Sequence, residues 1–432
     1  YQVVAALARD VLPQRTLVYN RRSGQNGKGP LHDPTAILYL RAGDLDPTTG
    51  KLLPGRVAEP LVLRARPGEC VVVTLQNRLP IEAALPDLDG FSTLPMIVED
   101  FNFNQIRPSK RVGLHPQLLH YDVSRSDGND VGVNLLKTVP PGESLTYQWY
   151  AADVFVRPDG TVRVTPIEFG STNLVPADRV KQPSKALIGG LIVEPAGATW
   201  PEGAGTAAFV TTGATGFWEN VLFFQNDLNL RFGGPATPTT PIGDGGPIPN
   251  LAETEDPEDS GQKAFNYRTE PVWFRLGFAP DTPLNVTRTF QFADTFTNGQ
   301  VGADPETPVF HVRVGEPVRF RLLHPGGTQR NNVFHLHGHS WEQTPYVSND
   351  TTPIDPPEEV GSTALGDSPF SYLEGARMGI GPTCHDDALV PRAGGERRVT
   401  GDYMFRDGVS FHLDGGLWGL LRVTQSGPGE LQ

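Results

Sequence analysis

Apolar residues come in short runs along this chain, and most runs alternate or end on turn residues. Residues 59–80, EPLVLRARPGECVVVTLQNRLP, hold two apolar runs around a Pro-Gly turn and predict a pair of strands. Residues 144–151, SLTYQWYA, alternate polar with aromatic positions, the pattern of a half-buried strand. Residues 185–195, KALIGGLIVEP, form an apolar run with a Gly pair at its centre. Residues 307–325, TPVFHVRVGEPVRFRLLHP, repeat the form of 59–80, with a Gly-acidic turn between two strands (Gly68-Glu69 and Gly315-Glu316). Each half also closes on a Gly-apolar run, GGLIVEP and GLWGLLRV. Only VVAALARDVL, residues 3–12, suggests a helix.

The Gly/Pro/Ala-rich stretch 196–208 has no periodicity and reads as a boundary. The expectation is an all-β chain of two related domains, residues 1–200 and 201–432. Residues 233–260 and 347–398 read as long loop excursions from the core.

Composition narrows the function classes. The 48 Gly and 41 Pro are dispersed, as suits many short strands and turns. The formal charge is −13 with no basic cluster, so a nucleic-acid partner is not expected. No apolar run is long enough for a membrane span. The acidic stretch 253–261, ETEDPEDSG, lacks the EF-hand spacing and reads as a solvated loop. Two cysteines cannot build a disulfide framework. Cys70 lies in an apolar strand pattern and is expected to be buried; Cys384 lies in a loop-like stretch beside His385, and whether the two pair is left open. The chain begins at Tyr1, which hints at processing and export.

The sharpest chemical signal is NNVFHLHGHSWEQ, residues 331–343. His335, His337 and His339 stand at alternate positions, so an extended strand would place all three rings on one face. Imidazoles so arranged suit copper, zinc, iron or nickel. The alternative is histidines that pack and hydrogen-bond without metal. No GxSxG elbow, phosphate loop or dinucleotide fingerprint is present.

Three segments together resemble the multicopper oxidase family. FHLHGHSWE is similar to its HPxHLHGHxF motif, and GLHPQLLHYDVSRSDG (113–128) to its HxHG motif followed by YDxSSDG. GDYMFRDGVSFHLDGGLWGLLRV (401–423) is similar to its closing GxYxxHCHxxxHxxxGLxG motif. The resemblance implies two cupredoxin-like Greek-key β-sandwich domains with long loop insertions, in a degenerate two-domain member. NDLNLRFGG, NYRTEPVWFR and GATW further resemble the bacterial branch that includes manganese-oxidase-like proteins.

The departures from the family motifs carry the information. The blue copper ligands of the family fall on Asn332, Asp407 and His412, with the axial position on Leu417, so no thiolate is available. A gapped alignment, with FHLD (411–414) on HCHI, puts Leu413 at the cysteine position and supplies no thiolate either. Of the paired histidines that hold the three-copper cluster, His115, His335 and His337 remain. The partner of His115 falls on Gln117, His335 and His337 form one complete pair, a further pair falls on Arg406 and Gly408, and residues 147–191, where the remaining pair is expected, contain no histidine. The resemblance implies that His115 and His335 hold a single type 2 copper, with His337 beside it. His412, His339, His385 and Asp407 are further candidates for ligands or for side chains that orient a ligand, His339 being favoured as structural. His32, His120, His311 and His324 read as ordinary.

The function expected is a copper-binding protein without the blue copper and most of the cluster, its catalytic form being a mononuclear type 2 copper oxidoreductase, with zinc an alternative metal. The rival expectation is a non-catalytic cupredoxin module, or a segment of a larger oxidase. Two-domain relatives build copper clusters between subunits, so the resemblance implies a homo-oligomer such as a trimer, or a larger assembly.

Overall fold

The computed structural model describes residues 1–24, 28–86, 107–252, 259–282, 294–327, 331–345, 353–354, 359–360 and 372–426. The all-β expectation holds: the chain folds as two β-sandwiches, and its helices among the described residues are single turns. None of them is long and apolar enough to cross a membrane.

In the first sandwich, one sheet runs Ile37–Arg41, Gln2–Leu7, Cys70–Asn77, Ser144–Tyr150. The other runs Leu61–Ala65, Gly189–Val193, Gly170–Val175, His115–Pro116. Alternation sets the faces. Val71, Val73 and Leu75 point inward against Tyr147 and Trp149, whose rings stack at 5.8 Å. The same alternation turns Cys70 outward, so Cys70 is exposed rather than buried; Cys384 is exposed too, and both are free thiols.

The second sandwich repeats this pairing. One sheet runs Ala207–Thr212, Thr215–Gln225, Val318–Leu323, His385–Val390. Its partner runs Val309–Arg313, Trp418–Thr424, Gly401–Asp407, Asn332–Leu336, Ala376–Ile380. In both sandwiches the strand after the Gly-Glu turn runs parallel to an earlier strand and antiparallel to a later one. Gly68 and Gly315, at φ +83° and +82°, make these turns in a conformation that a side chain would strain. The second core is aromatic, with Phe310, Phe320, Phe334, Phe405 and Trp341 in contact.

Three sequence expectations are corrected here. Residues 3–12 are a strand, Gln2–Leu7, followed by one helical turn, Ala8–Val11. The strand's run is apolar on both faces because Val3, Ala5 and Leu7 join the first core while Val4 and Ala6 join a core shared between the sandwiches. Residues 233–260 are not a free excursion: Arg231–Gly234 pairs with Gly243–Pro247 and with Leu31–Asp33, forming a sheet from both halves of the chain. Residues 347–398 are not all loop, since His385–Val390 is a strand of the second sandwich. Most of the acidic stretch 253–261 lies outside the described residues.

A fully buried charge cluster also ties the halves together. Arg64 bonds Glu194 at 3.2 Å and Glu219 at 2.7 Å, and Arg321 bonds Glu219 at 2.8 Å and Glu194 at 3.3 Å. Asp387 lies 3.3 Å from Arg321 and accepts from Ser171 of the first sandwich. Burial pushes the Glu194 carboxyl up, and the neighbouring Glu219 adds to the rise. At Glu219 burial acts the same way, but the two guanidiniums outweigh it and hold that carboxyl low.

Candidate functional site

The sequence candidates of the second sandwich lie on one antiparallel ladder, with Phe334 opposite Asp407, His335 opposite Arg406 and Leu336 opposite Phe405. Because side chains alternate, this register separates two groups. Asn332 and Asp407 go with Phe334 into the core; His335 and Arg406 take the other face.

The inward group is closed. Asp407 is fully buried, and its Oδ1 accepts the backbone N–H of Val333 at 3.1 Å and of Val409 at 2.9 Å. Its Oδ2 accepts from the Asn332 side-chain amide and lies 3.0 Å from His412 Nδ1. His412, on the single turn Ser410–Asp414, is buried, and its Nε2 has no hydrogen-bond partner. The chain extends through Asn226, whose amide reaches Asn332 Oδ1 at 3.2 Å and His324 Nε2 at 3.1 Å. Burial, and then the Lys263 charge, push the fully buried His324 imidazole down to about 3, so it is neutral. Leu417 is buried and apolar.

This group does not fit a blue copper. That centre needs a thiolate between two imidazoles. At the positions that the motif resemblance assigns to that centre stand a carboxylate and an amide, and both carboxylate oxygens are engaged by protein.

The outward group is open. His335 and His337 are half-buried, with ring centroids 4.7 Å apart and planes inclined by 39°. The strand ends at Leu336 and the chain turns at Gly338, where φ is +68°. The turn breaks the comb of three: His339 leaves the shared face. Its Nδ1 donates to His337 O at 2.9 Å and its Nε2 accepts from Gly394 N at 3.0 Å. Burial lowers the His335 imidazole, and the Arg406 guanidinium lowers it further. Burial, then His335, then Arg406 lower that of His337. His337 Nε2 and Arg406 Nε are both shielded from solvent and have no hydrogen-bond partner. Among the described residues Arg406 forms no ion pair.

His115 sits on the short strand His115–Pro116 of the first sandwich. Its Nδ1 lies 2.8 Å from the Asp127 carbonyl and 3.1 Å from the Asp127 carboxylate. Gln117 donates to Thr383 O at 2.9 Å. His385, expected in a loop, begins the strand His385–Val390, and its imidazole is lowered by burial against a raising effect of Asp387. Among the described residues no three His, Cys, Asp or Glu side chains converge in a way that could hold a metal ion. The structure therefore joins His335 to His337 and Asp407 to His412, and does not bring His115 to either pair. Sequence reading missed His324 and Asn226 as members of the inward network. Each lies just past the end of a long apolar strand, Val318–Leu323 or Thr215–Gln225, which is the one signal that pointed to them.

Residues 276–364 match the family model described as multicopper oxidase. No curated protein matches the sequence significantly. Among solved structures, the chain is similar to a copper-containing nitrite reductase from Thermus scotoductus SA-01, at 14% identity and a TM-score of 0.42. That alignment covers 99% of this chain and 62% of the reductase, so the chain spans less than two thirds of that protein. A multicopper oxidase aligns at 15% identity over 97% of this chain and 100% of its own, with a TM-score of 0.43. Copper nitrite reductase from Nitrosomonas europaea aligns at 12% identity over 99% of this chain and 95% of its own, with a TM-score of 0.45. Residues 276–364 are thus similar to a multicopper oxidase domain, within a chain that folds as two β-sandwiches.

Proposed function

We propose that this chain is a multicopper oxidase-like protein without the blue copper and most of the copper cluster, serving as a non-catalytic binding or assembly module or as a segment of a larger oxidase. The observation that carries this reading is Asp407, buried where the thiolate would stand and hydrogen-bonded through both oxygens. The cluster positions point the same way. Gln117 is engaged by Thr383, Gly408 offers no donor atom, and Arg406 brings a positive charge beside the remaining imidazoles. A route that passes electrons from a blue copper to a cluster lacks a full ligand set at either end on this reading. The usual setting of the family supports an exported location for the chain.

A second reading rests on the unpartnered His337 Nε2. His335 and His337, kept neutral by burial, would hold one type 2 copper, with His115 of another copy completing the site in a trimer. Copper or zinc would supply Lewis-acid or one-electron chemistry there. Arg406 weighs against it, because a fixed guanidinium repels a divalent cation.

Copper loading with electron paramagnetic resonance separates the two. The module reading expects no tightly held copper and no thiolate–copper absorption. A full equivalent of copper with nitrogen couplings, lost in His335→Ala, would establish the second reading instead.

A further inference from the structure

The outward face holds a motif that the copper family does not use. Arg406 stands directly across the ladder from His335, and His337 lies 4.7 Å from His335, ring to ring. A guanidinium that forms no ion pair among the described residues and two imidazoles therefore share one half-buried surface. Two of their nitrogens, His337 Nε2 and Arg406 Nε, are shielded from water yet bonded to nothing. Shielded polar atoms are ordinarily paired, so a partner from outside the chain is the simplest way to satisfy both.

We infer that His335, His337 and Arg406 form a binding site for a small carboxylate, and that replacing a family ligand by Arg406 has reversed the charge the site accepts. This inference rests on the reading above that the copper set has been lost at this face. The guanidinium is a rigid fork of N–H donors that matches the two oxygens of a carboxylate. A neutral imidazole still carries one N–H, so each histidine can donate to the same anion without first gaining a proton. A metal cation would meet the opposite situation, with a permanent positive charge opposite His335 and no carboxylate in the group to offset it. The inward face cannot compete for the ligand, because Asp407 is buried and engaged on the other side of the ladder. Partial exposure of the pair leaves a small anion a way in.

The test is calorimetric titration of acetate into the full chain, compared with Arg406→Gln and Arg406→Lys, with circular dichroism confirming that each variant is folded. The wild type is expected to show saturable binding. Arg406→Gln is expected to weaken it by about tenfold or more, the size of a lost charge-assisted pair, and Arg406→Lys to weaken it less. Equal acetate affinity in the wild type and Arg406→Gln, or no saturable binding by the wild type, would overturn the inference. Copper content is measured separately. Copper held at His335 would overturn the functional reading, whereas the Arg406 comparison judges the carboxylate site alone.

Discussion

Two neighbouring strands, Asn332–Leu336 and Gly401–Asp407, carry a closed polar group on one face and an open one on the other. On the inner face every oxygen of Asp407 is bonded, and the network runs on through Asn332, Asn226 and His324. The inner face keeps two unpartnered atoms, His412 Nε2 and Asn226 Oδ1, but both are buried; on the outer face the shielded nitrogens of His337 and Arg406 without a partner belong to half-buried side chains. Both faces carry residues that the motif resemblance assigns to copper positions. On the proposed reading, a lost metal site has two outcomes. Inside a core, unpaired polar atoms are costly, and all but two of the polar atoms in this network, His412 Nε2 and Asn226 Oδ1, are taken up by hydrogen bonds. At a half-buried surface that pressure is weaker, and polar groups remain available to something else.

The largest effect that would sharpen this contrast is spectroscopic. Asn332→His combined with Asp407→Cys returns two imidazoles and a thiolate to the inner face. Copper loading of this double variant is expected to produce an intense visible thiolate–copper absorption that the wild type lacks. An unchanged spectrum in a folded double variant would show that the inner face is not the former blue copper position.

Next in size is the stability of the inner network. Asp407→Ala leaves the Val333 and Val409 N–H groups, the Asn332 amide and His412 without their acceptor. A loss of about 3–5 kcal/mol is expected in urea unfolding, because several buried hydrogen-bonding groups lose their partner together. A loss below about 1 kcal/mol would mean the network contributes no more than an exposed pair.

The charge cluster between the sandwiches gives a third case, closed yet carrying an exchangeable proton. Glu194 has a raised folded-state pKa, so the folded chain holds this proton more tightly than the unfolded one. Its stabilising contribution is complete below the ordinary carboxyl range and is lost as pH rises above it. Glu194→Gln should therefore flatten the fall of melting temperature between mildly acidic and mildly alkaline pH. A variant with the wild-type slope would place the proton elsewhere.

The smallest effect belongs to the outer face. Arg406→Gln is expected to change stability by no more than about 0.5 kcal/mol, because no ion pair is broken. A large destabilisation would show that Arg406 is part of the fold rather than of an open site.

Much of this architecture was legible in the chain. Alternation at Cys70–Asn77 and Ser144–Tyr150, and the repeated Gly-Glu turns, gave the strands and the doubling. Gln2–Leu7 was not legible, since a strand buried on both faces has no alternation to distinguish it from a helix. The pairing of Arg231–Gly234 with Leu31–Asp33 was hidden because a Gly/Pro-rich stretch looks like loop when its partner lies some 200 residues away. At the site, the motif spacing located Asn332, Asp407 and His412. The sequence did not reveal that Arg406 and Asp407, adjacent in the chain, would face opposite ways and divide the site in two. That follows from the register with Asn332–Leu336, which only the folded sheet defines.

The central claim is that neither face of this ladder is a copper site. It is tested most directly by loading the purified full chain with copper, removing weakly bound metal, and measuring copper per chain together with its paramagnetic resonance. The account predicts no retained copper and no thiolate–copper absorption. A full equivalent of retained copper that disappears in His335→Ala would contradict it.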